Sequence, residues 1–197
     1  MVDRRGLAPV RETRLVRGSG PGAPGGGAFI DEGIYDIDRL RWLAGSEVTR
    51  VEARMANLVH RDLAVEDWGF ATLTFANGVI ATVEASWTIA APRASGPSPK
   101  ENSVRRFEIV GTRGEIVETN QGTPGRKWLR SGAAGWVHEH PTGELYAPPH
   151  HGALDHLIEC IEGGVEPVSR IEDARASLWI ALAAYDSART GGAVRLG

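Results

Sequence analysis

With one cysteine, Cys160, the chain has no means of forming an internal disulfide, which fits a reducing, cytoplasmic setting. It lacks any apolar run near the roughly 20 residues of a membrane helix, and the charged start MVDRR leads into no apolar signal core. Neither export nor membrane insertion is expected. A basic excess is missing too: 22 lysines and arginines face 25 aspartates and glutamates, a net charge of −3. That argues against nucleic acid as the main partner, because phosphate binding wants a basic face. No internal repeat is evident, and 42% hydrophobic with 24% charged residues is the mix of an ordinary globular chain.

Glycine and proline, by contrast, crowd the start. GSGPGAPGGG at 18–27 follows a charged stretch, so residues 1–27 read as a flexible arm or linker and the fold is expected from Ala28 to Gly197. Ile30, Ile34, Ile37, Leu40 and Leu43 keep helical spacing up to Gly45, which predicts the first helix. From Val48 to Thr119 the pattern is that of strands: VTRVEARMANLV, DWGFATLTFA and GVIATVEASW, with Asn77-Gly78 as a hairpin turn expected to take positive φ at both positions. RRFEIVG and GEIVET flank Thr112-Arg113 as a second hairpin, 90–103 is a loop, and 120–149 mixes short strand-like pieces with Gly and Pro.

Two helices close the chain. The first, near 150–162, is expected to bury Leu154, Leu157, Ile158 and Ile161. The second opens with Ser169 and Glu172 as a capping box, buries Ala174, Leu178, Ala181, Leu182 and Tyr185, and stops at Gly191-Gly192. The order predicts an α+β fold, a mostly antiparallel open-faced sheet with helices on one face.

On the first helix, Asp31, Tyr35, Asp38 and Trp42 fall within about 60° of arc at 100° per residue, opposite the apolar stripe. Carboxylates accept hydrogen bonds from hydroxyls and aromatic faces pack on sugar C–H groups, so this set suits a polyhydroxylated ligand or a proton relay. It also suits the plain polar face of an amphipathic helix, with Asp31 favoured by the helix dipole.

The segment GGGAFIDEGIYDIDRLRWLAG resembles the start of the second domain in the glucose-fructose oxidoreductase, inositol dehydrogenase and rhizopine catabolism (Gfo/Idh/MocA) family. Members typically show a Gly-rich lead, then Asp-x-x-x-His or Asp-x-x-x-Tyr, then a further Asp. VEDWGFATLTFANGVIATVEASW resembles the family's central hairpin, FEIVGTRGEI its next strand pair, and the last 48 residues from His150 its closing helices, so the resemblance covers about 25–197 in order. The resemblance implies an NAD(P)-dependent oxidoreductase acting on the CH–OH group of a sugar, polyol or related compound. Hydride passes to or from nicotinamide while a protein group handles the hydroxyl proton. It assigns Asp31 and Tyr35 to catalysis, Tyr35 standing where many members have histidine, and Asp38 to substrate binding, where Trp42 joins it by its place on the same helix face. A tyrosine with pKa about 10 needs a nearby cation near neutral pH. The family supplies that cation as a lysine in its first, nucleotide-binding domain, and no such segment is seen here.

A dinucleotide fold needs a strand, a Gly-rich turn and a helix. Only Gly18–Ala23 fits G-x-G-x-x-A, but RETRLVR before it is too charged for a buried strand, and Pro21 and Pro24 oppose a helix. The chain thus reads as the substrate half of a two-domain enzyme, a fragment or one part of a split protein, with a nucleotide-binding domain supplied from elsewhere. The alternative is a non-enzymatic dimerisation or sugar-binding module.

His138, His140, His150 and His151 are possible metal ligands, but their spacing matches no established site, and a metal hydrolase is the weakest reading. No resident metal is expected. His150 and His151 precede a helix and are assigned to substrate binding. Cys160 lies on an apolar helix with no adjacent cation and reads as packing. Trp128 and Trp136 flank Gly-rich turns at a cleft or an interface. The strands at 68–75 and 79–87 carry apolar residues at both parities, so a homo-oligomer through the open sheet is expected.

Overall fold

The computed structural model describes residues 26–88, 104–120, 125–139 and 149–197; the loop at 90–103, the G-x-G-x-x-A run at 18–23 and His140 lie outside them. The described residues form two compact units, one of 26–88 with 168–197 and one within 104–167.

The first unit begins with a π-helical turn, Phe29–Gly33, that runs straight into helix α1, Ile34–Ala44. Gly45 ends α1 in the left-handed region at φ 57°, its N–H returning to the carbonyls of Arg41 and Trp42. Strands β1 (Val48–Ala56), β2 (Trp68–Phe75) and β3 (Ile80–Ser86) form an antiparallel meander. The β2–β3 turn takes positive φ only at Gly78. The Gly78 N–H bonds to Phe75 and the Phe75 N–H to Val79, a type I turn with a glycine bulge in place of the two-residue turn that Asn77-Gly78 suggested. Asn77 keeps negative φ, as a type I turn requires of its central residues, and its side chain donates to the Ala44 carbonyl at 2.9 Å.

The second unit holds β4 (Arg106–Gly111) and β5 (Gly114–Thr119), joined by the expected turn at Thr112-Arg113, then β6 (Gly125–Arg130) and β7 (Val137–Glu139) in one antiparallel sheet. Helix α2, Pro149–Gly163, belongs to this unit, and the side chains expected to be buried, Leu154, Leu157, Ile158 and Ile161, are exposed. Helix α3, Ile171–Thr190, returns to the first unit, and Val194–Arg195 adds a short strand, β8, beside β1. The architecture is α+β, with its strands in two antiparallel sheets, ordered β3-β2-β1-β8 and β4-β5-β6-β7.

In the first unit all helices share one sheet face. Phe29, Ile37, Val51, Leu73, Phe75, Val83, Ile180 and Ala184 meet there in a single core. The face of α3 that faces this core differs from the expected stripe: Ser177, Ile180, Ala181, Ala184 and Ser187 point inward, while Ala174, Leu178 and Leu182 are exposed. Small residues let α3 lie close on β1, and both serines are hydrogen-bonded: Ser187 Oγ accepts from the Ala53 N–H and donates to the Gly192 carbonyl. The N-terminus of α3 is one residue later than the Ser169–Glu172 pattern placed it. Arg170 takes the capping position, and its N–H donates to Asp173 Oδ2 at 3.0 Å.

The outer face of this sheet is mixed. Trp68, Phe70, Thr72 and Thr74 of β2 are half-buried there beside Glu52 and Glu84, and Trp68 Nε1 donates to Glu84 Oε1.

Candidate functional site

Asp31 lies in the π-helical turn and is half-buried, whereas Tyr35 and Trp42, seven residues apart on α1, are 72% and 74% exposed. Phe29 and Ile37 hold the opposite side of the helix in the core at 0% exposure. Of the four residues on the face predicted from the helical wheel, Tyr35 and Trp42 point outward, and Asp31 and Asp38 are half-buried. Asp38 is drawn away from it towards α3: the Ser177 hydroxyl donates to Asp38 Oδ1 at 2.9 Å, and Arg41 Nη1 lies 3.7 Å from the same oxygen.

Arg41 is a buried hub. It donates from Nε and Nη2 to Glu47 at 3.0 and 2.7 Å, and from Nη1 to the Asp173 carbonyl and to Ser177 Oγ. The hydrogen bond to Glu47 outweighs burial and raises its pKa, so the guanidinium stays charged and clamps α1 to α3. The chain has two lysines. Lys100 lies outside the described residues, and Lys127 sits in the second unit, 4.5 Å from the Trp136 ring centre. The first unit, with its helix face, therefore has no described lysine to act on Tyr35.

The remaining candidates are dispersed. His138 is on β7, and His150 and His151 are in the first turn of α2, where their side chains lie outside what the structure describes. Among the described residues no three His, Cys, Asp or Glu side chains are grouped to hold a metal. No described helix is long and apolar enough to cross a membrane. Cys160 is half-buried, its Sγ 3.6 Å from His156 Nε2. Every described strand pair is antiparallel, with no strand feeding a glycine-rich turn at a helix N-terminus. The described residues do not fit a dinucleotide.

Two neighbouring carboxylates that the sequence reading passed over organise the surroundings. Glu66 reaches back 39 residues: its carboxylate accepts the Gly27 N–H on both oxygens at 3.0 Å, and Oε1 also takes the Phe29 N–H and the Tyr185 hydroxyl. Its backbone carbonyl accepts the Ala28 N–H. Burial and then the Glu66 contact push the Tyr185 pKa upward, keeping that hydroxyl a donor.

Asp67, fully buried, gathers the N–H groups of Leu58, Val59 and His60 at 2.7–2.8 Å, with His60 Nδ1 at 3.2 Å. Burial opposes its ionisation, but the backbone donors of His60, Leu58 and Val59 prevail and hold its pKa below the ordinary carboxylate range. A depressed folded-state pKa contributes stability that is complete above the unfolded value of about 3.9 and is lost as pH falls through the folded value. The thermal midpoint is expected to drop as acid is added below about pH 4, and more gently in Asp67→Asn. Equal slopes in a pH series of melts would refute this. The only sequence signal for either role is a Glu-Asp pair just ahead of a strand.

The chain's relatives agree with this architecture. The family description "GFO/IDH/MocA C-terminal domain" matches residues 13–117, more than half of the chain. The scyllo-inositol 2-dehydrogenase (NAD(+)) of Bacillus subtilis is 29% identical over 177 residues, 87% of this chain and 48% of that protein. Among solved structures, the aldose-aldose oxidoreductase from Caulobacter crescentus, complexed with glycerol, superposes at a TM-score of 0.73 with 25% identity, covering 96% of this chain and 52% of that one. The WlbA dehydrogenase from Bordetella pertussis, in complex with NADH and UDP-GlcNAcA, gives 0.63 with 25% identity over 87% of this chain and 47% of that one. The chain thus spans about half the length of these relatives. With two antiparallel sheets, a family match over residues 13–117 and a relative aligned over 177 residues, the chain belongs to the GFO/IDH/MocA oxidoreductase family and corresponds to its C-terminal domain.

Proposed function

We propose that this chain is the substrate-binding half of an NAD(P)-dependent oxidoreductase acting on the CH–OH group of a sugar, polyol or related compound. The observation that supports it is the outward face of α1, where Tyr35 and Trp42 stand clear of the core on a helix held from behind, with Asp31 half-buried in the turn that leads into it. Asp31 accepts a hydrogen bond from the reacting hydroxyl and Tyr35 passes its proton, while Trp42 packs on ring C–H groups. Asp38 contributes to substrate binding through the oxygen that Ser177 does not take.

The nicotinamide and the lysine that acts on Tyr35 come from a nucleotide-binding domain outside the described residues. That domain would meet the α1 face and would supply the hydride donor or acceptor. We further propose a homo-oligomer formed through the open sheet, and a cytoplasmic setting in keeping with the single cysteine.

A chimaera tests the assignment: this chain replaces the second half of the Bacillus subtilis dehydrogenase, and NADH formation from scyllo-inositol is followed. Tyr35→Phe is expected to lower kcat about 100-fold and Asp31→Asn by a similar factor, the range of a lost general acid or base. An active chimaera indifferent to both substitutions would refute the assignment.

A further inference from the structure

We infer that Glu66 is the positioning residue of the site, fixing through the Gly27 and Phe29 backbone the start of the helix that carries Asp31. This rests on the reading of Asp31 given above. The geometry is specific. A helix N-terminus normally satisfies its free N–H groups with a side chain from the residue just before it. Here Ala28, the capping residue, has no such side chain. The anion arrives instead from the loop ahead of β2, and it takes the N–H groups two residues and four residues before Asp31.

The segment is built around that carboxylate. A Cβ on Gly27 would collide with the Glu66 carbonyl oxygen and stand 2.8 Å from Oε2, and a Cβ on Gly26 would meet the Tyr185 hydroxyl and Ile30. The last two glycines of the run are therefore required by close packing, whatever the residues before them do. The Tyr185 hydroxyl, 2.6 Å from Oε1, fixes the carboxylate from the α3 side, and its ring meets Phe29 edge-on at 6.3 Å. Glu66 is spent on these bonds, and none of them draws on the Asp31 carboxylate. The arrangement keeps one anion for holding the helix and another for the ligand.

The test uses the full chain as wild type, Glu66→Gln, Tyr185→Phe and Asp31→Asn. Amide exchange is read at Gly27, Phe29 and Asp31 against the core strand β2, together with scyllo-inositol affinity by NMR titration. Glu66→Gln keeps the shape but turns an amide donor on the Gly27 N–H. It is expected to speed exchange at Gly27, Phe29 and Asp31 at least about tenfold, the scale of one charge-assisted hydrogen bond, with β2 unchanged. Affinity should fall to the Asp31→Asn level. Tyr185→Phe should give the same pattern in weaker form.

Unchanged exchange at the three amides overturns the inference. So does acceleration spread evenly over β2, which would make Glu66 a general stabiliser. If Asp31→Asn binds the polyol as well as wild type, or wild type does not bind it, the substrate reading fails. The exchange arm, which needs no ligand, still decides whether Glu66 sets the Asp31 segment.

Discussion

Replacing Asp67 with alanine is expected to destabilise the protein by about 4 kcal/mol, near the top of the range for single substitutions. The carboxylate is fully buried and is the acceptor for three backbone N–H groups and for the His60 ring. Alanine leaves those donors without a partner, at roughly 1–3 kcal/mol each where water cannot reach them. Leu58 and Val59 are partly open to solvent, so the total is well below the sum. Asparagine is expected to recover only part of the loss. It keeps Oδ1 for the Leu58 N–H but directs an amide donor at Val59 and His60. Equilibrium denaturation with urea measures both, and a loss under about 1 kcal/mol in the alanine variant would refute the account.

Phe29→Ala is expected to cost a similar amount, about 3–5 kcal/mol, and in addition to loosen the site. The ring is fully buried and fills the space over Gly69, where a Cβ would stand 2.8 Å from Phe29 Cβ. Gly69→Ala alone therefore overpacks, at about 1–3 kcal/mol. In the Phe29→Ala background Cδ2 and Cγ, 2.9 and 3.1 Å from that added methyl, are gone while the Cβ at 2.8 Å remains, so part of the overpacking is relieved and the double variant should be more stable than the sum of the two losses predicts. Strict additivity would mean that Phe29 and Gly69 do not share this contact. Because Phe29 is two residues before Asp31, the same substitution should also weaken polyol binding, unlike a core change such as Leu73→Ala at equal stability.

Local physics was legible in the sequence. Gly45 and Gly191 end helices because a left-handed position favours glycine, and Thr112-Arg113 joins two strands because polar turn residues separate two apolar alternations. The outward placement of Tyr35 and Trp42 followed from a 100° step that holds wherever a helix forms. Residue spacing along one helix and the ordered family segments were thus enough for the α+β class and for the candidate face.

What the sequence left open were choices between chemically similar side chains. Asp31, Asp38, Glu66 and Asp67 are all carboxylates near apolar segments, and nothing local separates a ligand contact from a strut. Tertiary structure shows which of them are struts: Ser177, 139 residues away, takes Asp38, while Glu66 finds its backbone donors 37 and 39 residues upstream. The buried face of α3 was decided in the same way. Leucine would bury more apolar area, yet the serine and alanine face lies inward because a close approach to β1 needs small side chains and offers both serines a partner. Composition and periodicity therefore determined which elements form. Long-range hydrogen bonding and steric fit determined which carboxylates are held by other parts of the chain, since a buried polar group is stable only where its partners are brought to it.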